Sequence, residues 1–253
     1  MSILSSAEYG ILRLTINRPA RRNTISSDMF RSLVASLEAA AVDPKIRVVL
    51  LRGSADIFSA GADFEESLKA PENLDAAMAE CFCALRKFPK PVIAQVTGPC
   101  VGEAFALLLW CDLVYAGSHA LFSLPAVALA RSPRFGSGFI MTLAAGYHRA
   151  AEKLLLSEPI SADEAHDMRL ITAVVEDEHI DSVVAAKTAR LAVLPPQAVA
   201  ATKSVMRAAR DQWLETGATF EQEVYSRQAK TPEAEEALRA FVEGRKPVFR
   251  PNE

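Results

Sequence analysis

Phe58-Ser59-Ala60-Gly61-Ala62-Asp63-Phe64 and Gly98-Pro99-Cys100-Val101-Gly102-Glu103 are the two stretches whose reading decides the fold of this chain. Each follows an apolar, strand-like run (residues 46–51 and 91–96) and each leads into a helix-like one. Gly61 permits a tight or left-handed turn that leaves the next amide facing inward, which makes the Ala62 N–H a candidate donor. Gly98 and Gly102 bracket a turn into a helix opening near Glu103. An amide in a first helical turn has no intrahelical partner and lies at the positive end of the dipole, so the Glu103 N–H is the second candidate. Two such amides aimed at one oxygen polarise a carbonyl without any charged side chain.

Working outward, residues 10–16 alternate as a strand does, and Asn17-Arg18-Pro19 stops them. Residues 27–41 place Phe30, Leu33, Val34 and Leu37 on one helical face, with Asp28 in the first turn. Residues 46–51 are nearly all apolar and rich in branched side chains, as in a strand covered on both faces. Residues 104–111 read as a short buried helix, and 112–116 as a further strand. This order predicts an α/β core with its functional loops at strand ends.

Beyond about residue 135 the pattern turns helical. Ser161-Ala162-Asp163-Glu164 has the form of a capping box, and residues 171–175 read as a last strand. A helix over 177–194 is broken by Pro195-Pro196. Another runs to about residue 211, one starts near Thr216, and Thr231-Pro232-Glu233 opens the last. We therefore divide the chain into a core, 1–190, and a C-terminal helical oligomerisation region, 191–253. The helical region has too little core of its own, so it is expected to fold back on the body or pack on a second copy.

With 253 residues, half of them apolar, the chain can bury a full core. A net charge of -3 gives no reason to expect nucleic acid. No basic head or sustained apolar segment marks a secretion signal, and no run is long enough to span a bilayer. Cys81, Cys83, Cys100 and Cys111 have neither zinc-site spacing nor a disulfide pattern, so no metal is expected and a reducing cytoplasm is the simplest setting. His119 and His148 read as surface residues. Gly-x-Gly-x-x-Gly and the Gly-rich Lys-Ser/Thr phosphate loop are both absent.

The chain resembles the crotonase superfamily, the enoyl-CoA hydratases and isomerases. The resemblance is carried by Leu14-Thr15-Ile16-Asn17-Arg18-Pro19 with Asn23, by the two loops, and by Pro91-Val92-Ile93-Ala94-Gln95-Val96. It continues through Cys111-Asp112-Leu113-Val114-Tyr115-Ala116, Phe122-Ser123 with Pro125, and Gly244-Arg245-Lys246-Pro247-Val248-Phe249. It implies a spiral of ββα units with a C-terminal helical trimerisation region, assembled as a homotrimer or dimer of trimers. It also implies an acyl-CoA thioester as substrate, with coenzyme A as part of that substrate and no permanently bound cofactor. The implied oxyanion donors are the N–H groups of Ala62 and Glu103. Ala60, Ala62, Asp63 and Phe64 would line the adenine side, Arg21 or Arg22 the phosphates or pantetheine entrance, and Arg245, Lys246 and Phe249 would reach the cofactor from the terminal region.

The chain departs from the pattern where a hydratase of this family carries its two glutamates: those positions are Ala106 and Ala126, which neither give a proton nor orient water. Its Gly-Pro-x-x-Gly loop is nearer to the Δ3,Δ2-enoyl-CoA isomerases. Their single carboxylate follows a Ser-Pro, but this chain has Ser132-Pro133-Arg134, and arginine is a poor proton shuttle. Arg134 instead suits a carboxylate, on the acyl group or within the chain, and Arg131 with it is a candidate marker of an acyl tail. Glu65, Glu66 and the Glu103 side chain are the candidates for a relocated base, and Asp63 reads as a helix cap. Two readings stay open: an isomerase-like enzyme, with hydration or decarboxylation as alternatives, and a non-catalytic acyl-CoA-binding homologue.

Overall fold

A computed structural model describes residues 2–54 and 56–249; Met1 and Ala55 of the 1–190 core and residues 250–253 of the 191–253 region lie outside the described residues. Strands β1 (Ser2–Glu8) and β2 (Ile11–Asn17) pair antiparallel. Helix α1 (Ser27–Val42) leads to β3 (Val48–Gly53), and α2 (Phe64–Lys69) with α3 (Pro71–Lys87) leads to β4 (Val92–Val96). Next come β5 (Pro99–Val101), α4 (Glu103–Leu108), β6 (Leu113–Gly117) and β7 (Leu121–Ser123). Helices α5 (Ser137–Ala145) and α6 (Tyr147–Leu156) precede β8 (Ile160–Ser161), α7 (Ala162–Asp167) and β9 (Ala173–Val175). Three helices end the chain, α8 (Ile180–Val193), α9 (Pro196–Gln228) and α10 (Pro232–Val242).

The strands form two sheets, a six-stranded one ordered β1-β2-β3-β4-β6-β9 and a small one ordered β5-β7-β8. From β2 onward the larger sheet is parallel. Strand β4 passes the chain to β5 and then α4, and β6 passes it to β7, so the repeating unit is ββα and the chain winds as a spiral. The period of two explains how the larger sheet is covered. Val49 and Leu51 belong to the main core with Phe30, Leu33, Met78 and Phe82 of α1 and α3. Val48 and Leu50 point the other way, into a second cluster with Ile180 and Val184 of α8.

Several elements differ from the sequence expectation. Strand β1 is mostly exposed and carries no hydrophobic alternation, so only its pairing with β2 reveals it. The small sheet is built from strands of two or three residues, too short to show a period. The helices expected to end near residue 211 and restart near Thr216 are one helix of 33 residues. Gly217, inside it, costs about 1 kcal/mol in helix propensity, but a Cβ there would meet the Phe139 ring at 2.6 Å. The glycine serves close packing of α9 on α5 rather than a break. The Ser161–Glu164 capping box forms as read, and Thr231 caps α10.

Candidate active site

The first loop lies between two other backbone segments and is bonded to both. On one side, Ala60 N–H bonds Arg22 O at 3.0 Å, Ile25 N–H bonds Gly61 O at 2.8 Å and Asp63 N–H bonds Ile25 O at 2.9 Å. On the other, Phe58 N–H bonds Pro99 O at 3.0 Å and Val101 N–H bonds Ser59 O at 2.9 Å. Asn23 is fully buried behind this seam. Its Oδ1 accepts from Arg18 N–H at 2.8 Å, and its amide donates to Ser54 O at 3.0 Å and Ile57 O at 2.9 Å. Gly61 has φ of +96°, and a Cβ on it would come 2.8 Å from Val101 O. Only glycine permits both the turn and the close approach of the two loops.

None of these backbone bonds uses the Ala62 amide. Its N–H donates to Glu103 Oε2 at 3.4 Å, and the N–H of Glu103 itself also favours that carboxylate. The Ala62 amide therefore aims at a carboxylate that belongs to the chain. Glu103 Oε1 accepts from Arg134 Nη2 at 2.9 Å, and Arg134 Nη1 donates to Asp75 Oδ1 at 2.7 Å. The Arg134 guanidinium lies 4.4 Å from the centre of the Tyr225 ring and 4.8 Å from that of Phe135. Burial works to raise the Glu103 pKa, but Arg134 and the two N–H groups outweigh it and hold the carboxyl below its usual range. Burial likewise works against the Arg134 charge, and Glu103, Tyr225 and Asp75 overcome it, raising its pKa.

Two adjoining cavities open here, each with about 80 Å³ of free space. Glu103, Leu129, Arg131, Arg134 and Tyr225 line both. Ala106 and Ala126 face the first, so the places where the resemblance puts glutamates share a cavity with Glu103. Ala62, Phe64 and Ser67 face the second, with Ala234, Ala237 and Leu238 of α10. The terminal helices thus fold back over the site of their own chain. Among the described residues, Glu103 is the one carboxylate lining either cavity.

Glu65 and Glu66 are not brought to it, which corrects the expectation that they stand on the pocket wall. Asp63 caps α2 through the N–H groups of Glu65 and Glu66, and the helix phase it sets turns both glutamates away. Glu65 pairs with Arg21 at the surface. Glu66 accepts from the Ser27 N–H at 2.9 Å and from the Ser27 hydroxyl. Asp63 also pairs with Arg18 at 2.5 Å; burial raises its pKa less than Arg18 and the capping amides lower it. It caps α2 and braces the loop against Arg18.

Arg21 and Arg22 flank the first loop at the surface, Arg22 with φ of +50°. Phe64 packs on Phe241 of α10, ring centres 3.9 Å apart. Arg245 pairs with Glu236 and Glu243 in its own chain, while Lys246 and Phe249 are exposed. Cys100 is buried, which pushes its thiol pKa well up, and Cys81 is pushed up to about 12, so both behave as inert fillers. His119 is exposed beside Asp177. Sequence reasoning missed Asp75 and Tyr225. Asp75 has no signal beyond a charge on a helix face, and Tyr225 lies far along the chain in a helix expected to serve assembly.

Over residues 6–252 the chain matches the family model described as enoyl-CoA hydratase/isomerase. It is 31% identical over 250 residues to the 2,3-dehydroadipyl-CoA hydratase of Escherichia coli, covering 98% of each chain. It is also 31% identical to the 1,2-epoxyphenylacetyl-CoA isomerase of that organism, over 98% of this chain and 97% of that one. The crystal structure of an enoyl-CoA hydratase/isomerase from Pseudoalteromonas atlantica superposes with a TM-score of 0.92 at 28% identity, covering 99% of this chain and 100% of that one. Among the described residues no helix is long and apolar enough to cross a membrane.

Proposed function

The chain belongs to the enoyl-CoA hydratase/isomerase family and has the crotonase fold, and from that premise we propose that it processes an acyl-CoA thioester through an enolate received by the N–H groups of Ala62 and Glu103. The observation that carries this reading is that the Ala62 amide, which the loop's backbone bonds leave unused, aims at a carboxylate, a chemical stand-in for the anionic oxygen that forms in an enolate. Preorganised donors of this kind stabilise such an oxygen by about 3 kcal/mol each.

The reaction we favour is isomerase-like, moving a proton between C2 and C4, with the Glu103 carboxylate as the relocated base. When the thioester oxygen enters, the carboxylate leaves the amides and turns into the space that Ala106 and Ala126 keep open. Arg134 acts by holding it there, not by carrying protons. Hydration and decarboxylation remain alternatives within the same hole. The coenzyme A moiety runs along residues 60–64, past Arg21 and Arg22, with Arg245, Lys246 and Phe249 reaching it from a neighbouring subunit of a homotrimer or dimer of trimers. Exposed Leu143, Tyr147, Leu155 and Phe220 support such assembly.

A second reading rests on the same carboxylate. If Glu103 and Arg134 stay latched, the chain binds acyl-CoA without turning it over. A panel of 2-enoyl-, 3-enoyl- and malonyl-type CoA thioesters, followed by ultraviolet absorbance and mass change, separates the two. Turnover of one class supports the enzyme, and binding of all without turnover supports the homologue.

A further inference from the structure

Resting on the acyl-CoA reading, we propose that Arg131 is a carboxylate subsite, so that the acyl group taken by this chain carries a second carboxylate besides its thioester.

Two guanidinium groups line both cavities, and their surroundings differ. The charge of Arg134 is offset by Glu103 at 2.9 Å and Asp75 at 2.7 Å. Arg131 has no acidic partner among the described residues. Its polar contact is Nη1 to the Tyr225 hydroxyl at 3.4 Å, with the guanidinium 5.6 Å from the centre of that ring. Two cations thus share one tyrosine, and the local acids serve only one of them.

The position of Arg131 is built rather than incidental. Its N–H bonds Ala126 O at 2.8 Å. The preceding Ala130 adopts a left-handed φ of +50° and is buried against Ala234 and Ala237 of α10. The loop is pinned on both sides, and the wall beside it is aliphatic, from Ala106, Leu124, Ala126 and Leu129. An alkyl tail in this slot leaves the guanidinium without a counter-charge as water is displaced. A carboxylate pairs with it and relieves its repulsion with Arg134. Phosphates of coenzyme A have related chemistry, so the test holds them constant.

Dissociation constants of the full chain are measured by calorimetry for length-matched thioesters: propionyl- against malonyl-CoA, butyryl- against succinyl-CoA, and hexanoyl- against adipyl-CoA. The expected result is affinity about tenfold higher for the carboxylated member of at least one pair, the size of one charge-assisted bond. Arg131→Met should bring that ratio close to one, and Arg131→Lys should keep part of it, with thermal melts confirming that both variants fold. Equal affinities within every pair overturn the subsite while leaving the acyl-CoA reading intact. Equal weakening of both members by Arg131→Met also overturns it, by assigning the residue a structural role. Failure of every thioester to bind overturns both.

Discussion

The Ala62 amide donates to the Glu103 carboxylate at 3.4 Å, across the seam where the two functional loops meet. A ligand oxygen seeking that amide must displace a carboxylate held from its other side by Arg134. On the proposed mechanism, Glu103 competes with the substrate for the hole and then serves it as the base. Glu103→Ala keeps the backbone donor and removes the competitor. The expected outcome is acyl-CoA affinity raised about tenfold with kcat lowered about a hundredfold or more, the usual worth of a general base. Calorimetry and steady-state rates on one substrate check the split.

Arg134 tunes the same carboxylate. Burial raises the Glu103 pKa and Arg134 more than reverses it, so Arg134→Gln leaves burial unopposed. The acid limb of kcat/KM should then move to higher pH. Linkage gives the stability counterpart. A carboxyl depressed in the folded state contributes stability that is present above its ordinary pKa and is lost as pH falls through the folded value. Denaturant titrations from neutral pH downward should show this loss in the wild type and a smaller one in the variant.

Gly61→Ala should separate loop geometry from side-chain chemistry. The left-handed backbone costs an alanine about 1–2 kcal/mol, and the added Cβ meets Val101 O at 2.8 Å. Urea denaturation should show a loss of about 2 kcal/mol or more. Thioester binding should weaken, because the shifted loop no longer aims the Ala62 amide into the hole.

Asn23 is the residue that ties the first loop to the core. It is fully buried, accepts from Arg18 N–H and donates to the carbonyls of Ser54 and Ile57. Asn23→Ala strips three backbone groups of partners at once. A loss of about 3 kcal/mol is expected from equilibrium unfolding, with amide exchange quickened over residues 54–63.

The features legible in the sequence are those with a local cause. Strand β3 showed itself through its branched apolar run, α1 through its face, the helix starts through Ser161 and Thr231, and the loops through Gly61 and Gly102. What stayed hidden depends on partners distant in the chain. Strand β1 exists by pairing alone, and the interruption expected between residues 211 and 216 gives way to one helix whose Gly217 packs against Phe139. Glu65 and Glu66 look available until Arg21 and Ser27 claim them. The chemistry of arginine suits Arg134 to a carboxylate, but only the fold shows Glu103 and Asp75 as the acids it holds.

The central claim is tested most directly by a crystal structure with a bound, non-reacting acyl-CoA analogue. The account predicts the thioester oxygen about 3 Å from both the Ala62 and Glu103 nitrogens, with the Glu103 carboxylate displaced beside Arg134. A thioester bound elsewhere, with the carboxylate still against the Ala62 amide, would contradict it.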